Sequence, residues 1–141
     1  MLAGCGSGDV GQIKAVIERA NHEQEDAFAA RDASIMQDTS TAANFVAMTR
    51  RNEEIAADGT VGIRLAKLEW GDVRVTSATT AEATTWETWE ETDQSGQTLS
   101  VRDRNVYSLL KVGSSWKIEN ITYPDRQTAS DQPSPSLAPA Q

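Results

Sequence analysis

Between Val106 and Tyr123 the chain reads Val-Tyr-Ser-Leu-Leu-Lys-Val, then Gly-Ser-Ser, then Trp-Lys-Ile-Glu-Asn-Ile-Thr-Tyr. Two runs rich in β-branched and aromatic residues flank a loop that opens on Gly113. Glycine supplies the positive φ of a tight reversal, so the pattern predicts an antiparallel hairpin. The residues upstream read as what this hairpin pairs with or packs against. Ile63, Leu65 and Lys67 alternate with Arg64, Ala66 and Leu68 before Trp70, and Val73 and Val75 resume the pattern. Gly71-Asp72 interrupts it and predicts a bulge or a turn. Ser77 to Thr80 makes the next reversal, and Ala81 to Thr92 is rich in threonine and tryptophan, both strand formers. Asp93-Gln94-Ser95-Gly96 predicts a turn, Leu99 to Val112 a further strand, and Pro124 ends the pairing after Tyr123. About four long antiparallel strands follow from this pattern.

Ahead of them the period is helical. Asp9 is positioned to cap a helix whose apolar residues recur at Ile13, Val16, Ile17, Ala20, Ala27 and Phe28. Lys14, Glu18, Arg19, Glu23 and Glu25 form its solvated face, and Ala29-Ala30-Arg31-Asp32 ends it. Ser34 to Met36 suggests a short helical turn. Asp38 to Thr41 offers several caps for a second helix carrying Ala42, Phe45, Val46, Met48 and Ile55, closed by Asp58-Gly59. The charge run Arg50 to Glu54 reads as a solvated face with local ion pairs. Helices followed by a meander of strands define an α+β class, with N-terminal helices packed in a strongly curved antiparallel sheet. At 141 residues there is room for one such domain, placed here at residues 9–125.

A net charge of −8 argues against a nucleic-acid partner, because the arginines at 50, 51, 102 and 104 lie among acids and form no basic patch. No apolar run approaches the ~18–20 residues that cross a bilayer. The single cysteine allows no internal disulfide, and His22, the single histidine, has no cluster around it, so no metal site is expected. Gly6-Ser7-Gly8-Asp9-Val10-Gly11 fits G-x-G-x-x-G, but no strand precedes it, so no dinucleotide and no other cofactor is expected. Asn120-Ile121-Thr122 fits a glycosylation triplet inside a predicted strand and carries no weight.

The two ends differ from the middle. Leu2-Ala3-Gly4-Cys5 resembles the lipobox of bacterial lipoproteins, although the basic and apolar segments that precede a lipobox are absent. The resemblance implies diacylglycerol on Cys5, a membrane partner through that anchor, and an extracytoplasmic place in a bacterial envelope. Gly6-Ser7-Gly8 then reads as a tether, so residues 1–8 are a lipobox remnant with a flexible link. Residues 126–141, with three prolines and Leu137 as the one large apolar residue, read as a disordered tail.

The helix ending Ala29-Ala30-Arg31-Asp32, the run Tyr107-Ser-Leu-Leu, and Gly113-Ser-Ser-Trp116-Lys-Ile-Glu-Asn-Ile121 are similar to the nuclear transport factor 2-like, or cystatin-like, cone superfamily. Arg64 to Trp70, Val73-Arg-Val, Ala83 to Glu90 and Tyr107 to Ile118 are also similar to the intermembrane-space domain of plastid-division proteins and their bacterial relatives. The superfamily resemblance implies a curved sheet around a long helix. It implies either a binding module or a small isomerase, dehydratase or cyclase acting on a hydrophobic molecule in the cone.

Enzymes of that fold use an acid or histidine beside a polar donor. Asp32, His22, Tyr107 and Asp103 are the available residues, none in a catalytic motif, so no catalytic residue is assigned. Asp103 is expected to pair with Arg102 and Arg104. Glu87, Glu90 and Glu91, interleaved with tryptophans, are expected on an exposed edge or face. Trp86 and Trp89 are three apart, which puts them on opposite faces of a regular strand. One of them, with Tyr107, is the expected contact for a protein partner or small ligand. A homodimer through the outer sheet face is the third reading.

Overall fold

The computed structural model describes residues 2–126, with side chains from Gly8 onward. Helix α1 (Leu2–Ala30) leads through a 3-10 turn (Ala33–Met36) to α2 (Ala42–Ala57). Four strands follow: β1 (Thr60–Val75), β2 (Thr80–Asp93), β3 (Thr98–Val112) and β4 (Ser115–Thr122). They pair antiparallel in chain order in one sheet.

The core forms where the inward stripe of α1 meets the concave face of the sheet. Ile13 and Ile17 are fully buried against Ala81, Ala83, Leu109, Trp116 and Ile118. Each such isoleucine contributes about 1.5–3 kcal/mol relative to an exposed one. Curvature comes from β1, whose register slips at Gly62, between Leu65 and Lys67, and at Gly71-Asp72. Each slip adds a residue opposite β2, bends the strand and raises its twist. Gly71 has a second constraint: a Cβ there would lie 3.2 Å from the Thr84 carbonyl oxygen. The free edge of β4 is partly covered, since Ile118 donates to the Thr39 carbonyl at 2.8 Å and accepts from Thr41 N at 2.9 Å.

The ends of the helices depart from expectation at one point and match it at others. Thr41 is the cap of α2, accepting from Asn44 N at 3.3 Å, and Gly59 and Gly113 take φ of +95° and +63°. Asp9 is not a cap. The helical backbone runs back to Leu2, through the residues read as a tether, and the Asp9 carboxylate accepts from Trp116 Nε1 at 3.1 Å and Lys111 Nζ at 3.3 Å. It fastens α1 to the closing hairpin. On α2, Val46 lies 56% exposed and Asn44 is the buried residue, so the inward stripe of that helix is rotated from the one its apolar residues suggest.

Candidate functional site

Halfway along α1 the inward stripe changes chemistry. After Ile13, Val16 and Ile17, the inward turns bring Asn21 and Gln24, 5% and 7% exposed. The opposing strands change with it. Along β2 the inner positions run Ala81, Ala83, Thr85, Glu87 and Trp89, and along β3 they run Leu109, Tyr107 and Asn105. One end of the cone is therefore apolar and the other polar, inside the same two layers.

Glu87 is the centre of the polar end. It is 1% exposed, against the expectation of a glutamate on an exposed edge. The pleat explains this: Glu87 lies two residues from Thr85 and two from Trp89, in the inward phase that begins at Ala81. Its carboxyl accepts on both oxygens. The Tyr107 hydroxyl, the Thr85 hydroxyl at 2.8 Å and Asn21 Nδ2 at 3.5 Å donate to Oε2. The Trp89 indole donates to Oε1 at 3.0 Å. These partners are all neutral, so the carboxyl is held by donors rather than by a cation. Such bonds are worth about 1.5–3 kcal/mol each, and an unpartnered buried carboxylate would cost more than that. The Tyr107 phenol is pushed well above its ordinary value, first by burial and then by the charge of Glu87.

The space that Asn21, Gln24, Glu87, Trp89, Asn105 and Tyr107 line together with the residues of the mouth amounts to about 40 Å3. That is room for about three water molecules and far below the ~300 Å3 of a typical ligand pocket. Towards solvent, α2 contributes Arg51 and the residues after β4 contribute Tyr123 and Arg126. The two guanidiniums lie over the Tyr123 ring, at 4.9 Å and 4.4 Å from its centroid. Glu91 sits in the same mouth, its carboxyl pushed up by burial against the pull of Arg51 and Arg126.

The remaining candidates are placed as follows. Trp89 and Tyr107 meet at Glu87. Trp86 faces outward, away from them, with Arg102 at 4.5 Å and Arg104 at 5.9 Å from its ring centroid. Glu90 is also outward and pairs with Arg64 at 2.6 Å. The local pairing expected in Arg102-Asp103-Arg104 is not formed. Arg102 reaches Glu69, Arg104 reaches Asp125, and Asp103 turns inward to Arg126, because neighbouring strand residues point to opposite faces. Arg51 leaves the supposed solvated run and lines the mouth. Asp32 caps the 3-10 turn through Ser34, and His22 is an exposed partner of Glu25 at 3.2 Å. Asn21, Gln24, Asn105 and Glu87 were missed. Their signal was a polar residue at each inward position of an otherwise apolar period. The lipidation expected at Cys5 and the tail at residues 127–141 lie outside the described side chains and residues.

Among the described residues no group of three His, Cys, Asp or Glu side chains is arranged to hold a metal, and no helix is long and apolar enough to cross a membrane.

This architecture, two helices on a bent four-stranded antiparallel sheet, is the nuclear transport factor 2-like, cystatin-like cone fold. Solved structures similar to the chain share it. The intermembrane space region of the chloroplast protein ARC6 aligns with a TM-score of 0.63 and 22% identity, over 79% of this chain and 92% of that one. A ketosteroid isomerase-like protein from Erwinia carotovora atroseptica aligns at 0.54 and 23%, over 74% and 88%. An NTF2-like protein with a cystatin-like fold from Novosphingobium aromaticivorans aligns at 0.53 and 15%, over 86% and 85%. At these identities the likeness establishes the fold. No family model and no curated protein matches the sequence.

Proposed function

We propose that this chain is a non-catalytic binding domain of the cell envelope, held to a membrane by lipid on Cys5 and using the mouth of its cone for contact. The observation that carries the reading is the state of the acid–tyrosine pair. Glu87 and Tyr107 are spent on each other and on Thr85, Asn21 and Trp89. A general base must reach a substrate proton, and an oxyanion donor must be free to turn to the developing charge. Neither condition is met in a cavity of about 40 Å3. The similarity to the intermembrane space region of a chloroplast protein supports a place outside the cytoplasm.

The alternative is a small cone-fold enzyme, an isomerase, dehydratase or cyclase. It is favoured by one observation, a buried carboxyl bonded to a buried phenol, together with the likeness to a ketosteroid isomerase-like protein. Titration with bicyclic hydrophobic ketones, followed by tryptophan fluorescence, separates the two. The binding reading predicts no saturable change, because such a molecule has no room beside Trp89. Saturable quenching that disappears in Trp89→Phe would replace it with the enzyme reading. The anchor has its own test, the intact mass of the N-terminus recovered from the source membranes. A chain starting at Cys5 with acyl mass is expected, and an unmodified chain in the soluble fraction would remove the anchor.

A further inference from the structure

Past Gln24 the inward stripe of α1 turns apolar again, with Ala27 and Phe28 at 3% and 4% exposed. These two are not part of the cluster that Ile13 and Ile17 form with the sheet. The two helices are joined close by, where Gln24 Nε2 donates to Asn52 Oδ1 at 3.1 Å. Beside Asn52 the last turn of α1 and the second half of α2 part and leave an open cleft of about 320 Å3. Ala27, Phe28, Ala33 and Ala56 supply its apolar wall. The cleft far exceeds the 40 Å3 inside the cone and reaches the ~300 Å3 at which pockets take small organic molecules.

Its charged groups do not balance. Arg31, Asp32 and Glu53 line it, one guanidinium against two carboxylates, all three exposed. Arg31 closes α1 at φ +56°, in the left-handed conformation that a helix end usually gives to glycine. Asp32 N then bonds back to the Ala27 carbonyl at 3.0 Å, which sets Asp32 beside the cleft. The end of α1 carries the negative pole of the helix dipole, and the Arg31 cation answers that pole. Asp32 accepts from Ser34 on Oδ1 alone, and Glu53 enters no ion pair among the described residues. An apolar wall edged by two carboxylates and a helix C-terminus suits a cation with an apolar body.

We infer that the cleft between α1 and α2 binds a small organic amine, its hydrocarbon body on Ala27, Phe28 and Ala56 and its ammonium drawn to the Glu53 carboxylate. The site lies apart from the cone mouth and does not depend on the reading given to that mouth. Burial of the hydrocarbon against the wall supplies most of the affinity, since the charges stand in water and attract weakly. The charges set the preference. An anion of the same shape meets two carboxylates and a negative helix end against one guanidinium, and a neutral molecule leaves Glu53 unanswered.

The test is an NMR titration of the 15N-labelled full chain at pH 7 with 2-phenylethylamine, 2-phenylethanol and phenylacetate, which share a body and differ in charge. The backbone amides of Ala27, Phe28 and Arg31 and the Asn52 side-chain amide report the cleft, and the Trp89 indole N–H reports the cone mouth. Saturable shifts in the cleft set are expected with the amine, at a dissociation constant of about 1 mM, with the indole unmoved. The alcohol should bind about threefold more weakly and the acid more weakly still. Glu53→Gln, an exposed change that leaves the fold intact, should bring the amine down to the level of the alcohol. Arg31→Gly should raise the melting temperature, by relieving the left-handed arginine, and tighten amine binding. No saturation, equal affinity for the three compounds, or a preference for the acid would each overturn the inference. So would amine shifts confined to the Trp89 indole, which would put the ligand in the cone mouth instead.

Discussion

Glu87 and the two tryptophans beside it show how one step along a strand decides between core and surface. Trp86 and Trp89 lie on opposite faces, and their consequences differ. Trp86 is held between the sheet and two arginines on the outside. Its replacement by alanine should cost about 1–2 kcal/mol and leave a folded protein. Trp89 walls the cavity and donates to Glu87. Trp89→Ala should cost about 3–5 kcal/mol, most of the stability of a small domain. Urea denaturation of the two variants checks this, and equal losses would contradict the placement. The opposite faces were legible from the spacing of three. Which face was inward was not, because Glu87 and Glu91 made the inner phase look solvated. The donors gathered around it, Asn21 from α1, Tyr107 from β3, and Thr85 and Trp89 from its own strand, make a glutamate acceptable there.

The elements themselves were largely legible. Helix 2 begins at a predicted cap, Gly59 and Gly113 take the predicted φ, and Gly71 sits at a predicted bulge. Each of these is a local rule, set by backbone geometry within a few residues. What was not legible depends on distant chain. The joint between α1, the loop after the 3-10 turn and β4 is such a case. The Thr39 hydroxyl donates to Glu23 at 2.8 Å, Arg19 lies 3.7 Å from Glu23 and 3.6 Å from Asp38, and Lys117 reaches the Asp38 carbonyl.

Glu23 is pushed up from 4.5 to about 7, by burial first and then by the Asp38 carboxyl facing it. The folded state thus holds this proton more tightly than the unfolded chain. Its stabilisation is complete below about pH 4.5 and is lost as pH rises through about 7. Asp38 moves down, chiefly through its bond with Glu23, so its own contribution is lost only in acid, below its ordinary 3.8. The melting temperature is therefore expected to fall between pH 4.5 and 7, and Glu23→Gln should flatten that slope. An unchanged slope would assign it to other groups.

At the scale of the molecule, the outer sheet face is a lattice of cross-strand pairs, Arg64–Glu90, Arg74–Glu82 and Arg102–Glu69. Exposed pairs of this kind add little stability, about 0–1 kcal/mol each, and they leave the face with its charges answered. The net charge of −8 then resides on the rest of the molecule. Inside, the same fold that elsewhere can enclose a reaction chamber here encloses a carboxyl and its four donors. Whether that interior is closed is the claim on which the functional reading depends. Titration of the tyrosines with 13Cζ labels tests it most directly. Tyr107 should stay protonated through the ordinary phenol range, near 10, until the protein unfolds. Reversible ionisation of Tyr107 near 10 in the folded protein would mean that the pair is exposed to bulk solvent, and that the cone is open.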